Sequence, residues 1–234
     1  MSSPLAFTPF GPVHWVTLCG IAAVALLLPL LARRLGPHAR RAAAWTLAAL
    51  LLGQEVAQLV WKGLVYGPSV ELLPLQLCTL SVFLTAWTLL TGMQRTYEVA
   101  YFWGLGGSTQ ALATPDLHAG FPSWGSVFFF AGHGLVVTGV LYATLAMGLR
   151  PYPVSVLRVV AITLAVAVLV LLLNLVLGTN FMYLLAKPDH PSLLDWLGPW
   201  PWYLLGLVWA ALVTFALLYA PFLVLDHRHR RHPR

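Results

Sequence analysis

Charge is what this chain has least of. Only 9% of its 234 residues are Asp, Glu, Lys or Arg, and 59% are hydrophobic. A soluble domain carries roughly 25% charged residues. So thin a polar surface excludes a water-soluble globular enzyme and implies an integral membrane protein. Lysine is scarcer still: Lys62 and Lys187 are the only two, and neither lies within an apolar segment, which excludes a retinal Schiff base. The two cysteines, Cys19 and Cys78, both sit in apolar segments. That excludes a disulfide framework and a thiolate-rich metal site. Only His14 and His133 fall in or near apolar segments, too few for the clustered ligands of a zinc-dependent membrane hydrolase. No internal repeat stands out, which argues against a transporter built from inverted halves. The stretch Met1 to Val13 lacks the basic n-region of a signal peptide, so the first helix is expected to be retained. The formal net charge of +6 arises from short basic runs between apolar segments, not from a continuous basic face, and nucleic acid is excluded as a partner.

Long apolar runs are what the chain does have. Segments of about 17–25 residues are long enough to cross a bilayer, and seven are expected: His14–Ala32, Ala42–Trp61, Leu72–Thr91, Tyr97–Thr114, Gly125–Met147, Val156–Leu177 and Pro201–Leu223. The fourth is only mildly apolar, and its glycines Gly104, Gly106 and Gly107 would let a neighbouring helix come close. The expected fold is therefore all-α and polytopic. It has a single seven-helix domain over residues 1–226 and a basic tail over 227–234.

Loop charges test that count. Arg33, Arg34, Arg40 and Arg41 follow the first segment, Arg95 the third, Arg150 and Arg158 flank the turn after the fifth, and Arg228, Arg230, Arg231 and Arg234 close the chain. The alternate loops hold only Lys62 and Lys187, with Glu71, Asp116, Asp189 and Asp195. The positive-inside rule then puts the N-terminus outside and the C-terminus in the cytoplasm. The long external connection from Gly178 to Trp200 is expected to lie in the interface or to fold as a lid. Trp200 and Trp202 would stand at headgroup level. The tail HRHRRHP reads as an exposed contact for anionic lipid.

Alternating direction converts sequence into depth, at ~1.5 Å per residue. Glu55 and Gln58 fall in the outer third of the second segment, and Cys78 in the outer half of the third, close to Gln76. Gln110 lies about one turn from the outer end of the fourth. His133 is roughly 12 Å below the outer end of the fifth. Asn174 is near the outer end of the sixth, with Asn180 and Tyr183 just beyond. Polar groups are expensive in hydrocarbon, so their gathering at one level implies a buried polar chamber.

Each residue carries two readings. Glu55, the acid placed well inside a span, either fixes helix packing or accepts a proton and orients His133. His133, between Gly132 and Gly134, is either a core histidine bound to a carbonyl or a general base with open space on both sides. Cys78 is either small apolar filler or a nucleophile activated by a neighbouring base, whereas Cys19, among apolar neighbours, reads as packing. Gln76, Gln110, Asn174 and Asn180 are either bridges between helices or donors to an oxyanion or to lipid oxygens. Tyr183 and Lys187 would hold a phosphate, unless Lys187 is one solvated loop charge.

Several stretches form a recognisable pattern: LPLQLC (Leu73–Cys78), YFWGLGGSTQALATPDL (Tyr101–Leu117), the pair His133–Gly134, LGTNFMYLLAKP (Leu177–Pro188) and SLLDWLGPWPWYLL (Ser192–Leu205). Together they resemble the YwaF-type bacterial integral membrane proteins over most of residues 40–225. That family commonly has histidine where this chain has Gln76. It is distantly similar to a vertebrate integral-membrane acyltransferase that moves fatty-acyl groups onto ether lysophospholipids through a cysteine. The resemblance implies Cys78 as nucleophile, His133 as its base, and a multi-pass location in the bacterial inner membrane. The function expected is lipid acyl transfer with membrane lipids as partners and no cofactor. The alternative is a non-enzymatic binder or transporter of a lipid or small polar solute. Oligomeric state leaves no signature in the sequence.

Overall fold

The computed structural model describes residues 6–117, 119–188 and 193–231. Among these there are seven α-helices: α1 (Pro12–Ala32), α2 (Pro37–Tyr66), α3 (Leu77–Thr91), α4 (Gln94–Ala113), α5 (Trp124–Leu145), α6 (Pro153–Leu177) and α7 (Trp202–Arg231). Short 3₁₀ turns occupy Val70–Leu72, Phe181–Tyr183 and Leu193–Leu197. Five helices (α1, α2, α5, α6 and α7) are long and apolar enough to cross a membrane. The chain is thus an all-α membrane protein.

The third apolar run becomes helical later than expected. Pro74 cannot continue a hydrogen-bonded turn and biases the residue before it to extended backbone; the chain makes a 3₁₀ turn at Val70–Leu72 and enters α3 only at Leu77. At 15 residues, α3 spans about 22 Å, short of a hydrocarbon core of about 30 Å. Gln76 therefore precedes the helix, and Cys78 sits in its first turn. In α4, Gln94, Arg95, Glu98 and Gln110 lower the apolarity that its length would allow.

The chain divides into two compact units, Met1–Val65 with Cys78–Arg150, and Tyr66–Leu77 with Pro151–Arg234. In the first, α5 is the central strut. Gly139 shows how closely the helices approach: a Cβ there would lie 2.7 Å from Thr85 of α3, 3.2 Å from Leu89 and 3.4 Å from Leu51 of α2. Hydrogen bonds tie the two ends of this unit. At one, Tyr142 donates to the Arg40 carbonyl at 2.7 Å, Tyr97 and Thr144 share a bond of 2.9 Å, and Gln94 donates to the Arg150 carbonyl at 2.8 Å. At the other, the buried His14 accepts from the Phe10 amide at 2.9 Å and donates through Nε2 to the Leu112 carbonyl at 2.8 Å. With Phe7, Phe10 and Phe130 packed round its ring, His14 pins α1 against α4.

In the second unit, α6 and α7 turn most of their apolar side chains outward, Val176 and Leu157 among the most exposed. Lipid is the natural solvent for such surfaces. Gly178 ends α6 in the left-handed conformation, φ 66°, which glycine adopts without steric cost.

Candidate functional site

Cys78, Glu55, His133 and Gln110 all belong to the first unit. Cys78 is partly exposed and stands in the first turn of α3. The Glu55 carboxyl, arriving from α2, is close enough to act electrostatically on its thiol. Thr79, the next residue of α3, has its hydroxyl within hydrogen-bonding reach of that carboxyl, and Lys62 adds its charge from two turns further along α2. The Thr79 hydroxyl and the Lys62 charge thus act on Glu55, and Cys78 lies within range of the Glu55 charge. The first backbone N–H groups of a helix have no intrahelical acceptor, so the start of α3 at Leu77 brings backbone donors close to Cys78.

His133 has a different neighbourhood. Its Nδ1 lies 2.8 Å from the Phe129 carbonyl one turn back, and the Phe129 ring covers it at 4.3 Å between centroids. A carbonyl only accepts, so in the neutral ring Nδ1 carries the proton and Nε2 keeps its lone pair. That is the tautomer a general base requires. Its hydrogen bond goes to its own helix and not to Cys78 or Glu55. The space beside the flanking glycines is filled by side chains. The Gln54 amide lies over Gly132, 3.0 Å from where a Cβ would be, and Ile21 lies over Gly134 at 3.1 Å. Gln54 is fixed there by donating to Gln58 at 2.9 Å and to the Phe128 carbonyl at 3.2 Å. Gln110 is on the exposed face of α4, and Cys19, expected to be packed, is exposed on α1.

Gln76, Asn174, Asn180, Tyr183 and Lys187 belong to the second unit, where they shape the connection after α6. Asn174 is completely buried. It donates to the Phe181 carbonyl at 3.0 Å, and its Oδ1 accepts from the Phe181 amide at 2.9 Å and the Thr179 hydroxyl at 3.0 Å. Asn180 donates to the Ala186 carbonyl and accepts from the amides of Leu185 and Ala186. Gln76 accepts from the Met182 amide at 3.0 Å, holding a non-glycine residue at φ 59°, a conformation L-residues adopt sparingly. The Tyr183 carbonyl accepts from Tyr203 at 2.5 Å, and Lys187 lies 3.8 Å from Asp195 and 5.6 Å from the Tyr203 ring centre. The bridging sense of these residues thus has visible partners, all within one loop. Asn174→Leu should strand the buried Phe181 amide and carbonyl, costing about 2–4 kcal/mol. Thermal unfolding of the purified variant, with hydrogen exchange at residues 179–186, measures it; unchanged protection would contradict this role.

Sequence reasoning missed Glu98. It lies in α4, only 2% exposed, and accepts from Gln94 at 3.2 Å. The i, i+4 spacing of Gln94 and Glu98 was the available signal. Among the described residues no group of three or more His, Cys, Asp or Glu is placed to hold a metal ion.

Comparison with known proteins gives one match, a model of the TMEM164 family, a membrane protein family, aligned to residues 9–219. No curated protein and no solved structure matches the chain.

Proposed function

Since the chain belongs to the TMEM164 family, a membrane protein family, we propose that it is a membrane-embedded lipid acyltransferase working through Cys78. In this reading α3 and α4 complete seven spans, with the N-terminus outside and the C-terminus cytoplasmic in the bacterial inner membrane. The observation that carries the proposal is the placement of Cys78 in the first turn of α3, within electrostatic range of the Glu55 carboxyl. In this reading Glu55 is the group that takes the thiol proton.

The steps balance with the residues present. Glu55, as carboxylate, takes the thiol proton, and the sulfur attacks the ester carbonyl of a donor phospholipid. The oxyanion that forms is held by backbone N–H groups at the start of α3. The carbon–oxygen bond breaks, the departing lysolipid oxygen takes the proton back from Glu55, and the acyl group remains on Cys78 as a thioester. The Nε2 of His133 then accepts the proton of a second lysolipid's hydroxyl. That oxygen attacks the thioester, the carbon–sulfur bond breaks, and the thiolate recovers the proton from His133. Burial in the membrane limits competing hydrolysis.

The test is covalent. Purified protein incubated with a phospholipid bearing an alkyne-tagged acyl chain should acquire the tag. Neutral hydroxylamine should remove it, and an added lysophospholipid should collect it. Absence of hydroxylamine-sensitive tag under all donors tried would leave the non-enzymatic binder as the better account.

A further inference from the structure

The turn between α1 and α2 carries a concentration of positive charge that the acyl-transfer reading does not use. Arg33, Arg34, Arg40 and Arg41 fall within nine residues, and the chain has no acidic residue before Glu55. Among the described residues none of the four has a carboxylate partner. Arg40 is spent on structure: Nη1 donates to the Ala146 carbonyl at 3.4 Å and Nη2 to the Leu35 carbonyl at 3.2 Å. Backbone bonds from Arg33, Arg34 and Leu35 to the carbonyls of Pro29, Leu31 and Ala32, each 3.0–3.1 Å, hold the turn tightly. Arg33, Arg34 and Arg41 remain exposed, and Arg41 is fixed over the Trp45 ring at 5.0 Å.

Both flanking helices are long and apolar enough to cross a membrane, so this turn lies at a membrane surface. Leu30, Leu31 and Leu35 are 45–57% exposed beside the arginines, and Trp45 is 48% exposed. An apolar shelf therefore adjoins three exposed arginines, and a tryptophan of the kind that settles at headgroup level stands beside it. Guanidinium binds phosphate oxygens in a bidentate fork. An ion in bulk solvent would use the charge and leave the shelf idle; an anionic phospholipid uses both.

We propose that the α1–α2 turn is a binding site for the headgroup of an anionic phospholipid, with Arg33, Arg34 and Arg41 on the phosphate and Leu31 and Leu35 along the first acyl carbons. This site is independent of the chemistry at Cys78.

Native mass spectrometry of the full chain in detergent, titrated with phosphatidylglycerol or phosphatidylcholine, reads it directly. Phosphatidylglycerol is expected to bind at least about tenfold more tightly. Arg33→Gln with Arg34→Gln should lower its affinity on the order of 20-fold, each surface arginine contributing roughly fivefold, and leave phosphatidylcholine unaffected. Arg41→Lys keeps the charge but loses the fork and the stacking, and should cost a few-fold. Arg95→Gln, at an exposed arginine in the first turn of α4, should change nothing. Unfolding temperatures in phosphatidylcholine identify any variant that has simply lost its fold, and Arg41→Gln then substitutes for it. Equal binding of the two lipids, loss through Arg95→Gln instead of the turn variant, or full protection by inorganic phosphate alone would each overturn the proposal.

Discussion

Cys78→Ala is expected to abolish acyl transfer, and Cys19→Ala to leave it unchanged. Both residues lie in apolar helices, so a general effect of removing a thiol from the membrane region would appear in both. Cys78 lies within electrostatic range of the Glu55 carboxyl, with the Thr79 hydroxyl next in the chain; Cys19 is exposed on the face of α1. Loss of the nucleophile in a covalent mechanism removes both half-reactions together, a fall on the order of 10³-fold or more. Cavity formation at a partly exposed site does not produce so large a change, because truncating a side chain there leaves little unfilled volume. The measurement is transfer of tagged acyl chain from phospholipid to lysophospholipid by purified protein, with the hydroxylamine-sensitive tag scored in parallel. Equal activity in the two variants would end the proposal that sulfur carries the acyl group. Lipid-dependent thermal stabilisation surviving in Cys78→Ala without any transfer in the parent protein would favour a binder.

The five long apolar helices were legible because length is a strong constraint in a bilayer. Runs such as Val156–Leu177 have few other fates, and the observed helix, Pro153–Leu177, differs only by its first turn. The start of α3 was less legible. Hydropathy runs unbroken through Leu72–Leu75, so the signal was stereochemical: Pro74 forces an extended approach, and Cys78 moves from the body of a helix to its first turn. Depth, which depends only on rise per residue, puts Glu55 and Cys78 at one level, and the Glu55 charge acts on the Cys78 thiol. It left the helical faces open, and these decide contact. Gln110 shares the level but lies on an exposed face, and His133 directs its Nδ1 to Phe129. For Asn174, Asn180 and Gln76 the sequence offered two fates; loop-building partners within seven residues, or across the chain at Met182, have no periodic pattern to announce them. Glu98 was overlooked because it lies near a helix end, where an acid normally reaches water. Its burial follows from the packing of α4 on α5, the first unit's tightest contact, which hydropathy does not encode. Nor does any composition change mark the division of the chain into two units.

Glu55→Gln and His133→Gln are expected to fail at different steps, and their contrast is the sharper test of the proposed chemistry. Glutamine at position 55 keeps the shape and can still meet the Thr79 hydroxyl, but it cannot take a proton from the thiol. The thioester should then fail to form, with tag on Cys78 and transfer to lysolipid both falling on the order of 10²–10⁴-fold, the usual contribution of a positioned base. Glutamine at position 133 leaves Cys78, Glu55 and the first turn of α3 intact. It removes the Nε2 lone pair that accepts the acceptor hydroxyl's proton. Transfer should fall by a similar factor, while tag accumulates on Cys78 toward one acyl group per chain, because the thioester forms and has no activated hydroxyl to leave with. Two controls separate this from a folding defect. His133→Gln must retain the parent unfolding temperature, and the trapped acyl group must be released by hydroxylamine. The proposed division of labour rests on two observations: the carboxyl acts electrostatically on the sulfur, and the imidazole is held on its own helix through Nδ1. If both variants lose the tag equally, the imidazole serves the thiol and the two bases do not work in sequence. If neither loses it, proton transfer at Cys78 runs through a group on neither α2 nor α5, and the meeting of Glu55 with Cys78 is packing alone.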